Sequence, residues 1–383
     1  MLAAAVLGAI ATTLDAGPVL GDLTSSSVRI WLRTATPAKV VLHVTDDSGM
    51  SLAVPAETRA QHDNTVTLHV DGLPSDARCT YTIDGTAHED WWFRTRPEHD
   101  TACRIAFGSC ANEQEGSASV WNRMNALDIS ALVLLGDTPY IDTTDLATQR
   151  ARHRTFATVP AFARLVAHTP LYATWDDHDF GLNDTDGRLE GKENSRRAFD
   201  EYRPNPTCGE HGQGIYTSFR QGPVEVFLLD TRWFARTQAE DEPPTLLGAS
   251  QWAWLERSLR GSTAPFKVLA CGMVFNGAVR PGKTDCWGAY PAEYARLIDL
   301  LARTETTGAV LVSGDVHWSR AIRHDTSDTL GTDLIEFVTS PIHEHLIKAA
   351  DAPHPGLVFS AGEVNSFLVI EARQDGDSAS LTA

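Results

Sequence analysis

The sequence is poor in basic residues and contains no closely spaced pair of cysteines. Its 383 residues include 32 Lys and Arg against 50 Asp and Glu, which gives a formal net charge of −18. Such an acidic surface repels the phosphate backbone of nucleic acids and anionic membrane faces, so we expect neither as a partner. None of the 6 cysteines forms a CxxC pair, which excludes zinc-ribbon and thioredoxin-type sites.

Long apolar runs are also missing, apart from a short segment near the start. Residues 2–11 resemble the apolar part of a signal peptide, but they lack a charged leader and a preceding twin-arginine pair. The run is too short to span a bilayer, so we expect no transmembrane anchoring. If it is a signal remnant, the protein is periplasmic or secreted; otherwise it is cytoplasmic.

The remaining composition, with 42% hydrophobic residues, is that of a globular protein. Residues 1–97 alternate apolar and polar positions between short turns, which predicts an N-terminal β-sandwich domain of the fibronectin or immunoglobulin type. Residues 98–383 alternate short apolar runs with helical stretches, which predicts an α/β domain. The predicted helices include 117–127, 194–202, 250–259 and 292–303.

Metal-competent side chains follow the buried strands of this second domain. They are Cys110, Asp137, Tyr140, Asp176, Asp177, Asp315 and His317. Because the carboxyl ends of strands in an α/β sheet gather at one rim, these side chains are expected to converge. Clustered carboxylates repel one another unless cations lie between them, so the pattern predicts a metal site. Each motif alone has a structural alternative: a turn for Gly-Asp, or a small buried hydrophobe for Cys110.

In this order the motifs resemble the alkaline phosphatase D (PhoD-like) family of the calcineurin-like metallophosphoesterases. They are Phe107-Gly108-Ser109-Cys110, Gly136-Asp137-Thr138-Pro139-Tyr140, Trp175-Asp176-Asp177-His178-Asp179, Asp230-Thr231-Arg232 and Ser313-Gly314-Asp315-Val316-His317. The resemblance covers about the whole chain. It implies an α/β metallophosphatase sandwich of two mixed sheets flanked by helices, preceded by a small all-β sandwich domain.

The resemblance also implies the metal ligands. A ferric ion (Fe3+) is expected on Cys110, Asp137, Tyr140 and His317. Asp137 is expected to bridge to a second metal, similar to the family's Ca2+, which is held also by Asp177, Asp315 and Asn183. Asp176 is expected as a further metal contact, and the resemblance implies a dinuclear or trinuclear site. Thiolate and phenolate ligands suit Fe3+, whereas carboxylate and carbonyl oxygens suit calcium.

Three residues are expected to be catalytic: His178, Asp177 and Arg232. His178 is expected over the leaving-group oxygen as general acid or transition-state stabiliser. Asp179 either orients His178 or is a solvated neighbour. Arg232 is either a phosphate clamp or the partner of Asp230 in a structural pair.

The expected activity is hydrolysis of phosphate esters through attack of a metal-bound hydroxide on phosphorus. One alternative uses the same metal cage to cleave phosphodiesters, such as phospholipid headgroups or polymers. The other is a secreted binding protein with purely structural metals. The sequence indicates neither the natural substrate nor the oligomeric state.

Overall fold

The N-terminal part of the chain consists of two antiparallel sheets. The computed structural model describes residues 13–237 and 243–383, so the apolar run at 2–11 lies outside the described residues. The strands are β1 (Leu14–Gly21), β2 (Ser27–Thr34), β3 (Lys39–Asp46), β4 (Ser51–Glu57), β5 (Thr65–Asp71), β6 (Arg78–Ile83) and β7 (Trp92–Arg94), with a 3-10 turn at Ala60–His62.

These strands pair in the orders β1-β2-β5 and β4-β3-β6-β7. Alternate side chains of β3 are buried, as the sequence pattern predicts for a sheet with one covered face. Val28, Ile30, Leu42, Val70 and Tyr81 belong to the core cluster that joins the two sheets. The predicted all-β region is therefore confirmed.

The rest of the chain alternates strands and helices. The strands are β8 (Ala102–Gly108), β9 (Ala131–Leu135), β10 (Leu171–Thr174), β11 (Thr217–Gln221), β12 (Val224–Leu228), β13 (Phe266–Ala270), β14 (Ala309–Ser313), β15 (Ser319–His324), β16 (Leu334–Val338), β17 (Leu357–Ala361), β18 (Leu368–Asp375) and β19 (Ser378–Thr382). The helices are α1 (Glu115–Ala126), α2 (Leu146–Ala157), α3 (Pro160–Val166), α4 (Asp177–Phe180), α5 (Lys192–Tyr202), α6 (Gly248–Gly261), α7 (Pro291–Arg303) and α8 (Ser327–Leu330), with 3-10 turns at Trp287–Ala289 and Lys348–Ala350.

Two mixed sheets form the centre of this part, in the orders β10-β9-β8-β18-β19 and β11-β12-β13-β14-β16-β15-β17. One core cluster contains inward residues of both sheets, such as Val133 and Val268. On the opposite face of β9, Leu132 and Leu134 pack with α1–α3. Both faces of β9 are therefore covered, which explains its continuous apolar sequence. The predicted fold of two mixed sheets flanked by helices is confirmed.

The N-terminal sheets pack directly against the helices of the α/β part. The Trp31 indole N–H donates to the Glu201 carbonyl at 2.7 Å, and the Tyr81 hydroxyl donates to the Ala167 carbonyl at 2.6 Å. Trp31 is fully buried and belongs to the same core cluster as Phe199 and Tyr202 of α5. In the described ranges, no helix is long and apolar enough to cross a membrane.

Candidate metal centre

The candidate centre lies where four central strands end. Cys110 follows β8, Asp137 follows β9, Asp177 follows β10 and Asp315 follows β14. Strands β8, β9 and β10 are parallel neighbours in one sheet, so their carboxyl ends meet at one edge. β14 belongs to the other sheet, and its end reaches the same place because the two sheets pack face to face.

The first group of ligand atoms comes from buried residues of three different types. Atoms of Cys110, Asp137 and His317 all lie within 4.8 Å of one another. The Cys110 thiol lies 3.6 Å from a carboxylate oxygen of Asp137. The Tyr140 hydroxyl is 3.0 Å from His317 Nε2, so the phenol oxygen adjoins this group. The structure thus brings together the four residues expected to hold Fe3+.

The second group is made of carboxylates. Asp137, Asp176, Asp177 and Asp315 are buried, and each offers an oxygen within 4.8 Å of the others. Asp137 belongs to both groups, which is the position that a bridging ligand requires. Two smaller groups adjoin this one: Asp137, Asp177 and His178, and Asp177, Asp184 and Asp285.

We call the ligand groups described above the cage. Their electrostatics favour a bound cation. Burial raises the pKa of Asp137 well above its usual range, and the carboxylates of Asp177 and Asp176 raise it further. Burial likewise raises the pKa of Asp315 to about 7. Among the described residues, Asp176 Oδ2 and His317 Nδ1 are buried without a hydrogen-bond partner. Unpaired buried donors and acceptors are costly, and metal coordination removes that cost. The residues present therefore fit a metal site.

The backbone at the ligands is held in an uncommon conformation. Cys110, Asp137, Asp315 and His317 have φ angles of 56°, 53°, 67° and 52°. Residues other than glycine rarely adopt this left-handed region, and they keep it only where the surroundings enforce it. A hydrogen bond between the ends of β8 and β9 helps to enforce this conformation: the Cys110 N–H donates to the Gly136 carbonyl at 3.2 Å. The fold thus holds the backbone of Cys110 against the end of β9.

His178 lies beside the cage and is partly accessible, with 23% of its side chain exposed. Its Nδ1 is 2.5 Å from Asp142 Oδ1.

Both interpretations of Asp179 were wrong. Asp179 is buried, and its Oδ1 accepts the Asp176 N–H at 2.6 Å. It holds the turn at the start of α4, while Asp142 contacts the histidine.

Arg232 is fully buried and its guanidinium contacts two aspartates. Its Nε donates to Asp176 Oδ1 at 2.7 Å, and Nη1 donates to Asp285 Oδ1 at 2.8 Å. Asp230 accepts the backbone N–H groups of Arg232 and Trp233. Asp230 therefore holds a backbone turn at Arg232, while the Arg232 guanidinium pairs with Asp176 and Asp285.

The loop after α4 carries the expected ligand Asn183 and an aspartate beside it. Asn183 is exposed. Its neighbour Asp184 joins Asp177 and Asp285 in a candidate group, and the Asp184 N–H donates to Asp177 Oδ2 at 2.7 Å. Burial tends to raise the pKa of Asp177, but Arg232 and other positive groups outweigh it and lower that pKa to about 2.

Lys283 is a cation at the cage that the sequence analysis did not identify. Its Nζ lies 2.8 Å from Asp184 Oδ1 and 3.1 Å from Asp315 Oδ2, and only 6% of its side chain is exposed. Burial tends to lower the pKa of this lysine, but Asp315 and Asp285 raise it further than burial lowers it. The ammonium group therefore stays charged inside the acidic cluster.

Two further histidines were also missed. The His343 ring lies 4.5 Å from that of His317, centroid to centroid, and His345 lies close by. Burial lowers the pKa of His317 to about 3 and that of His343 to about 4, so both rings are neutral at pH 7. These histidines and Tyr140 line a cleft of about 360 Å³ beside the cage. The available signal was the sequence His343-Glu344-His345, which follows Ser340-Pro341 after one residue, Ile342.

Comparison with known proteins gives two family matches. The model of the PhoD-like phosphatase family matches residues 105–369. A model of a domain of unknown function (DUF7800) matches residues 11–101. Alkaline phosphatase D of Bacillus subtilis (strain 168) is 26% identical over 279 residues, which cover 59% of this chain and 48% of that protein. The match thus spans about half the length of this curated relative.

A solved structure described as the structure of PhoD has the same fold. It superposes with a TM-score of 0.78 at 19% sequence identity, covering 98% of this chain and 90% of the other. At this identity the similarity shows the fold alone. It includes the N-terminal sheets as well as the α/β part.

Proposed function

The chain belongs to the PhoD-like phosphatase family, and from its site we propose that it hydrolyses phosphate esters at the metal centre described above. The family implies a metal cofactor and a phosphate-ester substrate. The observation that carries the proposal is that Asp137 belongs to two adjoining groups of buried ligand atoms. Such a shared carboxylate is what a two-metal phosphoesterase site requires.

We propose that Fe3+ binds at Cys110, Asp137, Tyr140 and His317, and that Ca2+ binds beside it. The thiolate and phenolate that Cys110 and Tyr140 can form support Fe3+, since these anionic ligands suit it. Carboxylates support a hard cation such as Ca2+ at Asp137, Asp177 and Asp315. The loop after α4 offers Asn183 or Asp184 to the second ion, and the carboxylate of Asp184 lies near those of Asp177 and Asp285.

When bound, the metal ions supply positive charge that neutralises the phosphate oxygens and activates the attacking water. The chain itself supplies the proton for the leaving group. In its protonated form His178 donates its Nδ1–H to Asp142, which fixes the ring and leaves the Nε2 proton for the departing alkoxide. Its partial exposure beside a buried cage allows it to reach an ester bound from outside.

For Arg232 we propose a structural role in place of the expected phosphate clamp. Its guanidinium is enclosed and already pairs with Asp176 and Asp285. Lys283 is the cation that directly contacts Asp184 and Asp315 of the cage. A phosphate that enters the cage therefore meets the lysine more readily than the arginine.

Two further proposals concern organisation and location. We propose that the domains divide between residues 97 and 98; in the described ranges, each sheet lies wholly on one side of this point. We also propose a periplasmic or secreted location. That proposal rests only on residues 2–11, which lie outside the described residues.

The decisive experiment measures hydrolysis and metal content together. Purified full-length protein is assayed with p-nitrophenyl phosphate and with bis-p-nitrophenyl phosphate, and its metals are identified by elemental analysis. We expect hydrolysis of at least one ester, and the ratio of the two rates separates monoesterase from diesterase activity. Asp137→Asn should abolish turnover, whereas Asp328→Asn, which changes an exposed aspartate of α8, should leave it unchanged. A fully metal-loaded protein that hydrolyses neither ester would contradict the proposal and favour a binding protein with structural metals.

A further inference from the structure

One segment contacts three of the four residues expected to hold Fe3+. It runs from Ser340 to His345, directly after β16. The Ser340 hydroxyl donates to the Cys110 thiol sulfur at 3.1 Å, and the His317 N–H donates to the same Ser340 oxygen at 3.1 Å. The His343 N–H donates to the Cys110 carbonyl at 3.0 Å. The segment therefore fixes both the backbone and the side-chain environment of these ligands.

The remaining contact joins His343 to the phenol of Tyr140. His343 Nε2 lies 2.9 Å from the Tyr140 oxygen. His343 Nδ1 accepts the backbone N–H of His345 at 3.0 Å. A neutral imidazole carries one proton, and a nitrogen that accepts a hydrogen bond cannot carry it. The proton is therefore on Nε2, and the imidazole donates to the phenol oxygen.

The reverse arrangement is disfavoured on the same geometry. If the Tyr140 hydroxyl donated to Nε2, the imidazole proton would sit on Nδ1 and face the His345 N–H. Two donors would then oppose each other in a buried place, where an unsatisfied donor is costly. The side chain of His343 is 5% exposed, so water offers little relief.

We propose that His343 is a positioning residue for the metal centre: its Nε2–H holds the Tyr140 oxygen as an acceptor, aimed at the ion. Ser340 does the same for the Cys110 sulfur. Donors of this kind orient metal ligands and tune the ion that they hold. This inference rests on the proposed function, because it requires an ion bound through Tyr140.

The test follows the visible absorption of the full-length protein reconstituted with Fe3+. A phenolate bound to Fe3+ absorbs visible light, so the wild type should be coloured and Tyr140→Phe should lose the band. In His343→Ala the phenolate oxygen loses its donor, which raises the energy of its filled orbitals. The absorption maximum should therefore move to longer wavelength while iron stays bound.

Two variants make the interpretation specific. His343→Gln restores an N–H donor near the position of Nε2 and should return the maximum toward the wild-type wavelength. His354→Ala is the control: this histidine contacts Asn276 at 3.2 Å, and its replacement should leave the spectrum unchanged. Thermal unfolding of the metal-free proteins checks that the variants fold.

The outcomes separate this inference from the proposed function. An unchanged maximum in iron-loaded His343→Ala overturns the positioning role. Iron loss in His343→Ala supports it only if His343→Gln regains iron; loss in both variants overturns it, since packing then explains the effect. A wild type without the band, or a band that persists in Tyr140→Phe, overturns the proposed ligand set and with it this inference.

Discussion

The role of Arg232 is open to a direct test by Arg232→Met, which removes the charge and keeps an unbranched side chain. The guanidinium is completely enclosed, and it contacts Asp176, Asp285 and the Thr185 carbonyl, the last at 3.1 Å. Burial lowers the pKa of this arginine, but the two aspartates raise it further, so the group is charged. The variant therefore leaves the buried Asp176 carboxylate without its cation, and leaves Asp285 with only Lys283, whose Nζ lies 3.8 Å from Asp285 Oδ2.

The magnitude follows from that loss. Removing one partner of a buried ion pair typically costs about 3–5 kcal/mol, because the other charge stays buried and unpaired. We expect Arg232→Met to lower the free energy of unfolding by about this amount, a large part of the roughly 5–15 kcal/mol of a typical domain. Arg260→Met is the control: Arg260 is 51% exposed and pairs with Glu256 on the surface of α6. Its loss should stay below about 1 kcal/mol.

Urea unfolding of the purified variants gives these free energies, and kinetics with p-nitrophenyl phosphate on the folded protein give KM. A structural Arg232 predicts a large loss of stability with a small change in KM for the molecules that remain folded. Two results together would refute the reasoning. The free energy of unfolding of Arg232→Met would lie within about 1 kcal/mol of the wild-type value, and its KM would rise more than about tenfold, which corresponds to about 1.4 kcal/mol of lost binding. That result would restore the phosphate-clamp interpretation.

Three other predictions follow from single contacts. His178→Ala should lower kcat by about 10²–10⁴-fold, with the metal content unchanged in elemental analysis. Asp142→Asn should cause a smaller loss of kcat. Full activity of His178→Ala would exclude His178 as the general acid. Lys283→Met removes a charge 3.1 Å from Asp315, so calorimetry should show Ca2+ binding at least about tenfold tighter; unchanged affinity would contradict this. Burial lowers the pKa of His153 well below 6.5. Its contribution to stability is therefore present above pH 6.5, and below that pH the free energy of unfolding should fall by up to about 1.4 kcal/mol per pH unit. Urea unfolding of His153→Phe should show a weaker dependence of this free energy on pH, and an equal dependence would refute the assignment.

The strand-end ligands could be predicted because their signals are local. Each short apolar run predicts a buried strand, and the residue that follows it must lie at the sheet rim. Cys110, Asp137, Asp177 and Asp315 were identified in this way, and the structure brings all four to one place. Helix bounds were also close, as for α5, because helical periodicity is local too.

Asp179 was misinterpreted although its sequence carried a cue. Asp176 and Asp179 stand three residues apart at the start of α4, which is the spacing of a capping box. In that motif the side chain three residues after the N-cap reaches back to the N-cap backbone N–H, as Asp179 does to Asp176. The two interpretations of Asp179 considered only His178 and solvent, and they missed this simpler local role.

Lys283, Asp285 and His343 could not be placed from the sequence for a different reason. They lie on segments without periodicity, and their contacts are distant along the chain: Tyr140 and His343 are separated by 203 residues. Lys283 and Asp285 lie in the long connection from β13, which ends at Ala270, to α7, which begins at Pro291. No strand end near them indicates their place in the fold. Only packing of the whole domain brings such groups to the cage.

The distribution of charge in the cage explains why Asp137 is the point at which a metal ion matters most. Arg232 pairs with Asp176 and Asp285, and Lys283 pairs with Asp184 and Asp315. For Asp137, burial and neighbouring carboxylates are the strongest influences, and all of them raise its pKa. Without a metal ion the least costly state is a protonated Asp137, so metal binding must displace that proton. The chain thus places its own cations beside the outer carboxylates and leaves the shared one to the metal.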